Sequence, residues 1–287
     1  MKLLVTGSGG MLGGELVEVA RRAGHSVTGL DHSQLDLSDP AATEEAVRAS
    51  TPDAVINCAA WTDVDLAESH ELEATEVNGV GAGNVAEAAE RAGAIVCQIS
   101  TDYVFDGRKP TAYVESDQTA PIQAYGRSKL AGEQAVLQAA TRSFVVRTSW
   151  LFGLVNRRPN FVETMLRLSS GDQPVRVVSD QVGCPTWTGH LAEGILRLIE
   201  QDDYGVHHMA ATGSCSWFDF ASAIFAQAGL EPELIPVESR EFDRPARRPA
   251  NSVLVSEWET PVVLPEWEKG LEEYLAEREM LDREDAR

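Results

Sequence analysis

The sequence predicts a doubly wound α/β protein built on a parallel, Rossmann-type sheet, and three observations carry that reading. Short apolar runs alternate with amphipathic stretches through the first half of the chain. Most runs are apolar on both faces, as parallel strands covered by helices on either side must be. A glycine-rich turn, Thr6-Gly7-Ser8-Gly9-Gly10-Met11-Leu12-Gly13, joins the first run to the first amphipathic stretch. The chain of 287 residues allows one large domain or a core with an added lobe.

Taken in order, the strands are residues 3–6, 26–30, 54–58, 95–99 and 144–147. Between the first two, Leu12, Leu16, Val19, Ala20 and Ala23 recur at helical spacing and stop at Gly24. Residues 82–92 form an alanine-rich helix closed by Gly93. After Trp150 the rhythm loosens, with helices expected at 160–168, 190–199 and 217–228 and strands at 175–179 and 205–210. An acidic helix from Glu266 finishes the chain. We therefore expect a dinucleotide-binding domain over residues 1–152. Residues 153–287 should form mainly a smaller substrate-binding lobe, with some elements returning to the sheet.

Composition narrows the function. Forty-five acids against 24 bases give a net charge of −21, which argues against nucleic acid and anionic membranes as partners. Only four of the bases are Lys, and the other 20 are Arg. Acid excess with few lysines resembles proteins of salt-loving microbes, whose carboxylates are screened at high ionic strength. An ordinary acidic protein from an arginine-rich genome is the plainer alternative. No apolar run is long enough to span a membrane, and the N-terminus lacks the apolar core of a signal peptide. Cys58, Cys97, Cys184 and Cys215 form no C-x-x-C pair and read as reduced thiols of a cytoplasmic protein.

The glycine turn has a chemical use. Gly7, Gly10 and Gly13 suit a tight turn, close backbone approach to a pyrophosphate and close helix–strand packing. The helix N-terminus beyond them offers N–H groups to phosphates. Asp31, at the end of the second strand, is placed to accept hydrogen bonds from an adenosine ribose. A second constellation lies on a helical turn, where Tyr125 and Lys129 stand four residues apart on one face. A phenol is a poor acid or base at neutral pH, and a nearby ammonium favours its phenolate. Ser100-Thr101-Asp102-Tyr103 follows the fourth strand and opens at the carboxyl edge of the sheet, where α/β proteins bind ligands. The Thr101 hydroxyl could then bond the same carbonyl oxygen that Tyr125 protonates.

TGSGGMLG, NCAAWTDVDLAE (57–68), STDYVFDG (100–107), YGRSK and RTSWLFG (147–153) resemble the extended short-chain dehydrogenase/reductase family. PNFVETML (159–166), SDQVGCPT (179–186) and RRPANSVL (247–254) extend the likeness over almost the whole chain, toward the dTDP-4-dehydrorhamnose reductase branch. The resemblance implies a catalytic set of Thr101, Tyr125 and Lys129. It implies NADPH or NADH held by Gly7, Gly9, Gly10, Met11, Leu12, Gly13 and Asp31, with Asp36 and Leu37 beside the adenine. Ala59, Ala60 and Trp61 fall under the pyrophosphate and ribose. Tyr103, Trp150, Asn160, Gln181, Thr186 and Arg248 fall where the family contacts its nucleotide-sugar. The implied reaction is reduction of the C4 keto group of a dTDP-4-keto-6-deoxy sugar.

Plainer readings stand beside several of these. Trp150 ends a strand and could be core, Asn160 could cap its helix, and Arg247 and Arg248 could balance surface charge. His207 and His208 should point to opposite faces of a strand, one to core and one to surface. Some relatives bind magnesium through glutamates. Here Glu15 is present but the stretch around His190 offers no matching acid, so no metal is assigned. Two other functions remain open, a sugar-nucleotide epimerase or dehydratase using NAD catalytically, and a non-catalytic subunit like the regulatory subunit of methionine adenosyltransferase. A homodimer is compatible with the sequence.

Overall fold

In the computed structural model, which describes residues 1–157 and 159–285, strands and helices alternate as β1 (Lys2–Thr6), α1 (Met11–Arg22), β2 (Ser26–Leu30), α2 (Pro40–Ser50), β3 (Ala54–Asn57), α3 (Gly81–Ala92), β4 (Ile95–Thr101), α4 (Ala124–Ala139) and β5 (Ser143–Thr148). The second half adds α5 (Phe161–Leu168), β6 (Val175–Val178), α6 (Thr188–Leu198), β7 (Gly205–His208), α7 (Trp217–Gln227), β8 (Leu234–Val237) and α8 (Trp267–Asp285).

Six strands pair in the order β7-β5-β4-β3-β1-β2, every pair parallel. The chain turns one way from β1 to β2 and the other way from β3 onward, so a crevice opens beyond the carboxyl end of β1. Both faces are covered. Leu12, Leu16 and Val19 of α1 pack with Leu191, Ile195 and Leu198 of α6 against one side. On the other side Val47 of α2, Val85 and Ala89 of α3 and Val136 of α4 cover Leu4, Val55 and Val145. The doubly wound expectation holds.

Three local expectations change. β2 is an edge strand, so Ser26 and Thr28 are exposed rather than apolar on both faces. The periodicity passes over α2, whose start is marked by local chemistry instead: Asp39 accepts from the N–H groups of Ala41 and Ala42 at 2.9 and 3.1 Å, with Pro40 next. His207 and His208 do take opposite faces of β7, yet both are buried. His207 stacks on Trp258 at 4.5 Å, and His208 lies edge-on to Phe105.

The rest of the second half builds its own core from Phe152, Val162, Phe220, Trp267, Leu271 and Tyr274. There β6 and β8 form a small parallel pair. This body sits beside the carboxyl edge of the main sheet, because Trp150 and Leu151 carry the chain out of β5 at that edge.

Candidate active site

The turn after β1 is shaped by the absence of side chains. Gly7 has φ +71°, and a Cβ there would lie 2.5 Å from the Ala59 nitrogen. A Cβ on Gly13 would lie 2.2 Å from the Gly7 carbonyl oxygen. Only glycine lets α1 start so close to the strand ends. Gly10 is the N-cap of α1 and no side chain caps that first turn. The helix end therefore faces the crevice with its backbone dipole and N–H groups, a setting that favours an anion.

Beyond β2, Asp31 Oδ1 accepts from the Ser33 N–H and hydroxyl at 2.8 and 2.7 Å. Those bonds hold its carboxyl below the ordinary range, so it is ionised at neutral pH. Asp36 is held the same way by Ser38 at 3.0 and 2.8 Å. A cleft of about 970 Å³ runs from these acids to the catalytic residues. Gly7, Gly9, Gly10, Met11, Leu12, Gly13, Asp31, Asp36, Leu37, Ala59 and Ala60 line one part of it, and Thr101, Tyr125, Lys129 and Trp150 another. Such a cradle, with no room for a Cβ at Gly7 or Gly13, fits a dinucleotide. Trp61 does not line the cleft: its ring stacks on His70 at 6.0 Å and its N–H bonds donate to Asn78 and Asp63.

The chemical end is assembled by the approach of α4 to β4. A Cβ on Gly126 would lie 2.2 Å from the Tyr103 carbonyl oxygen, so the glycine inside Y-G-R-S-K lets the helix press against the segment after β4. Lys129 Nζ donates to the Ile99 carbonyl at 2.6 Å and is buried. Burial lowers its pKa to about 8, with the Glu133 carboxylate opposing that fall. Burial, with the Asp102 carboxyl adding to it, pushes the Tyr125 phenol above its ordinary value, while the Thr101 hydroxyl pulls the other way. Tyr125 is therefore protonated at neutral pH. Thr101 donates to Asp102 Oδ1 at 3.0 Å and accepts from the Tyr103 N–H at 3.2 Å. Asp102 is buried, which raises its pKa to about 7. The Tyr103 ring stands edge-on to Tyr125 at 6.1 Å.

The expected substrate contacts divide. Trp150 lines the cleft in a left-handed backbone conformation, φ +49°, an uncommon and costly setting for a bulky side chain. Its ring stacks face to face on Trp217 at 3.6 Å and 6°. Trp217, absent from the sequence-derived set, backs the Trp150 ring, and no local motif announced it. Gln181 is half-buried and precedes the short strand Val182–Gly183.

Asn160 works as a cap: its side chain accepts from the Glu163 N–H at 3.1 Å and donates to the Gly153 carbonyl at 2.9 Å. Thr186 is fully buried, donating to the Cys184 carbonyl at 3.0 Å and accepting from the Ala211 N–H at 3.1 Å. Both side chains thus help to hold the fold. Arg248 is bound to Asp65 at 2.5 and 2.7 Å and to the Ala246 carbonyl at 2.6 Å, so its fork is already occupied rather than held out for a diphosphate. Glu15 is buried, its pKa raised to about 7 mainly by burial, and His190 bonds Glu273 at 2.8 Å.

A dinucleotide cradle that ends at a Thr–Tyr–Lys set on a doubly wound sheet defines an oxidoreductase of the extended short-chain dehydrogenase/reductase class. The chain belongs to the RmlD substrate binding domain family, whose model matches residues 1–280. It is 44% identical over 284 residues to a dTDP-4-dehydrorhamnose reductase of Mycobacterium tuberculosis, covering 96% of this chain and 92% of that one. It is 40% identical over 279 residues to the spore coat polysaccharide biosynthesis protein SpsK of Bacillus subtilis, covering 96% and 98%. The crystal structure of dTDP-4-dehydrorhamnose reductase from Bacillus anthracis in complex with NADP superposes with a TM-score of 0.93 at 40% identity, covering 96% of this chain and all of that one.

Proposed function

We propose that the chain is an NAD(P)H-dependent reductase of a dTDP-4-keto-6-deoxy sugar, converting dTDP-4-dehydrorhamnose to dTDP-L-rhamnose. The observation that carries this reading is the continuity of one cleft from the Gly7–Gly13 turn to Thr101, Tyr125 and Lys129. The names of its relatives supply the sugar nucleotide.

Bound in the cradle, NAD(P)H supplies a hydride to the C4 carbon. Tyr125, protonated at neutral pH, gives its phenolic proton to the carbonyl oxygen, so the C=O becomes a hydroxyl. The Lys129 ammonium favours the phenolate left behind. The Thr101 hydroxyl orients the carbonyl beside Tyr125. Asp31 accepts from the adenosine ribose, and the Met11 and Leu12 backbone at the start of α1 faces the pyrophosphate. Residues 1–152 hold the cofactor, and the body after Trp150 closes over the sugar nucleotide, with Trp150 on the cleft wall and Tyr103 and Gln181 as further contacts.

A cytoplasmic location and a salt-adapted surface belong to the same proposal. The first is supported by four cysteines that are all free, the second by the net charge of −21. Among the described residues no helix is long and apolar enough to cross a membrane.

The test is cofactor exchange. Freshly purified, deproteinised protein should release no stoichiometric nicotinamide, and added NADPH should be oxidised once per 4-keto sugar consumed. One equivalent of NAD carried through purification, with sugar interconverted and no net oxidation, would assign an epimerase or dehydratase instead.

A further inference from the structure

Behind the catalytic set lies a buried polar chain that the reaction as described does not use. Glu133 stands four residues after Lys129 on α4, one helical turn further along. Its carboxylate is forked by Arg147 of β5, with Nε at 3.0 and 3.2 Å and Nη2 at 2.7 Å. Side-chain exposures of 5% for Arg147 and 2% for Glu133 take the pair out of solvent. Glu133 Oε1 also accepts from the hydroxyl of Ser100, the residue before Thr101, at 2.5 Å.

The chain continues outward. Arg147 Nη1 lies 3.4 Å from His208 Nε2, and because a guanidinium only donates, that ring nitrogen accepts. His208 Nδ1 then carries the proton and donates to the Tyr113 and Val255 carbonyls at 3.1 and 3.0 Å. One network thus spans the catalytic helix, the catalytic strand end, two further strands and residue 255 of the second half.

We propose that Glu133 is a positioning residue for the reduction. Clamped by Arg147, it fixes the Ser100–Thr101 strand end against α4 and holds a carboxylate one helical turn from Lys129. A buried pair adds little stability over apolar residues of similar size. Its location one turn from Lys129 accounts for an ion pair inside the sheet better than stability does. The inference rests on the catalytic reading above.

Several groups share the surroundings of Lys129. Tyr125 and Glu133 are on its own helix, Cys58 comes from the end of β3, Asp102 from the end of β4, and Arg147 stands behind Glu133 on β5. The Cys58 thiol is pushed up to about 12 and the Tyr125 phenol higher still, so neither titrates in the useful range. Asp102, near 7, titrates on the acid side of Lys129, near 8, and is common to every variant compared.

The experiment follows kcat and the NADPH dissociation constant, the latter by fluorescence titration, against pH. The variants are Glu133→Gln, Glu133→Asp and the double variant Glu133→Gln/Arg147→Met, which leaves no unpaired buried charge. Removing the carboxylate lets burial lower the Lys129 pKa further. The alkaline limb of kcat should therefore move down by about one pH unit in Glu133→Gln, and by less in the double variant, where the Arg147 charge that opposes the carboxylate is gone as well. The pH above which NADPH affinity weakens should move with it. Glu133→Asp, keeping the charge, should recover at least half of the shift. An alkaline limb unmoved in the double variant would overturn the proposal. So would failure of that variant to bind NADPH at any pH, which would make the pair purely structural. If instead Tyr125→Phe retains turnover, the catalytic reading itself fails, a result separate from either.

Discussion

The glycine turn and the second-half body meet the same cleft, yet they leave different marks in the sequence. In the sheet half, function follows from local backbone geometry. Gly7 and Gly13 are required because a Cβ would strike backbone at 2.5 and 2.2 Å, and Tyr125 and Lys129 share a face because they are four apart on a helix. In the second half, the polar residues singled out are largely consumed by the fold. Thr186 bonds Cys184 and Ala211, Asn160 caps α5, and Arg248 is paired with Asp65. Sites built from short-range geometry announce themselves in sequence, whereas sites built from contacts between distant segments do not.

The sharpest way to break that contrast is Tyr125→Phe. Loss of the phenolic proton should reduce turnover at least ~100-fold, the low end for general-acid catalysis, with NADPH affinity nearly unchanged. Near-normal turnover in a stopped-flow assay would remove Tyr125 from the chemistry.

Next in size is Asp31→Ala. Its ionised carboxylate disfavours a 2′-phosphate at the ribose, so its loss should shift the ratio of kcat/KM values toward NADPH by about tenfold, roughly 1.4 kcal/mol. Both cofactors should serve the unmodified protein. A variant that loses NADPH use would place Asp31 elsewhere.

On the other side of the comparison, Thr186→Val should injure stability rather than substrate binding. It strands the Ala211 N–H without its acceptor, at a cost of about 1–3 kcal/mol. That corresponds to a fall in Tm of about 5 °C for a chain of this size, with KM for the sugar nucleotide unchanged. A raised KM at constant Tm would restore Thr186 to the substrate site.

The smallest effect per residue, and the most dispersed, is that of salt. The net charge of −21 repels itself in dilute buffer, where the screening length is about 30 Å at ~0.01 M, and much less at ~1 M, where it is about 3 Å. Calorimetry should show Tm rising between about 0.05 and 2 M KCl, the rise beginning well below ~1 M. A flat Tm would make the acidity ordinary.

Which parts were legible has a physical basis. The five strands of the first half stand out because strands buried on both faces are mostly apolar, and β2, at the sheet edge, is where that pattern weakens most. α2 carries few buried residues, chiefly Thr43 and Val47, so its periodicity is faint and only Asp39-Pro40 marks it. Trp217 could not be linked to Trp150 because 67 positions separate two rings that stack at 3.6 Å. The Glu133–Arg147 pair was hidden for the same reason, since helix and strand bring it together while each residue alone resembles a solvated charge.

The function proposed for this cleft is reduction of a 4-keto group on a dTDP-linked 6-deoxy sugar. Oxidation of NADPH, followed at saturating cofactor with dTDP-, UDP- and GDP-linked 4-keto-6-deoxy sugars, tests it most directly. We expect the highest kcat/KM with dTDP-4-dehydrorhamnose, one NADPH consumed per sugar, and dTDP-L-rhamnose as product. Absence of oxidation with every dTDP-linked 4-keto sugar, by folded protein that binds NADPH, would contradict it.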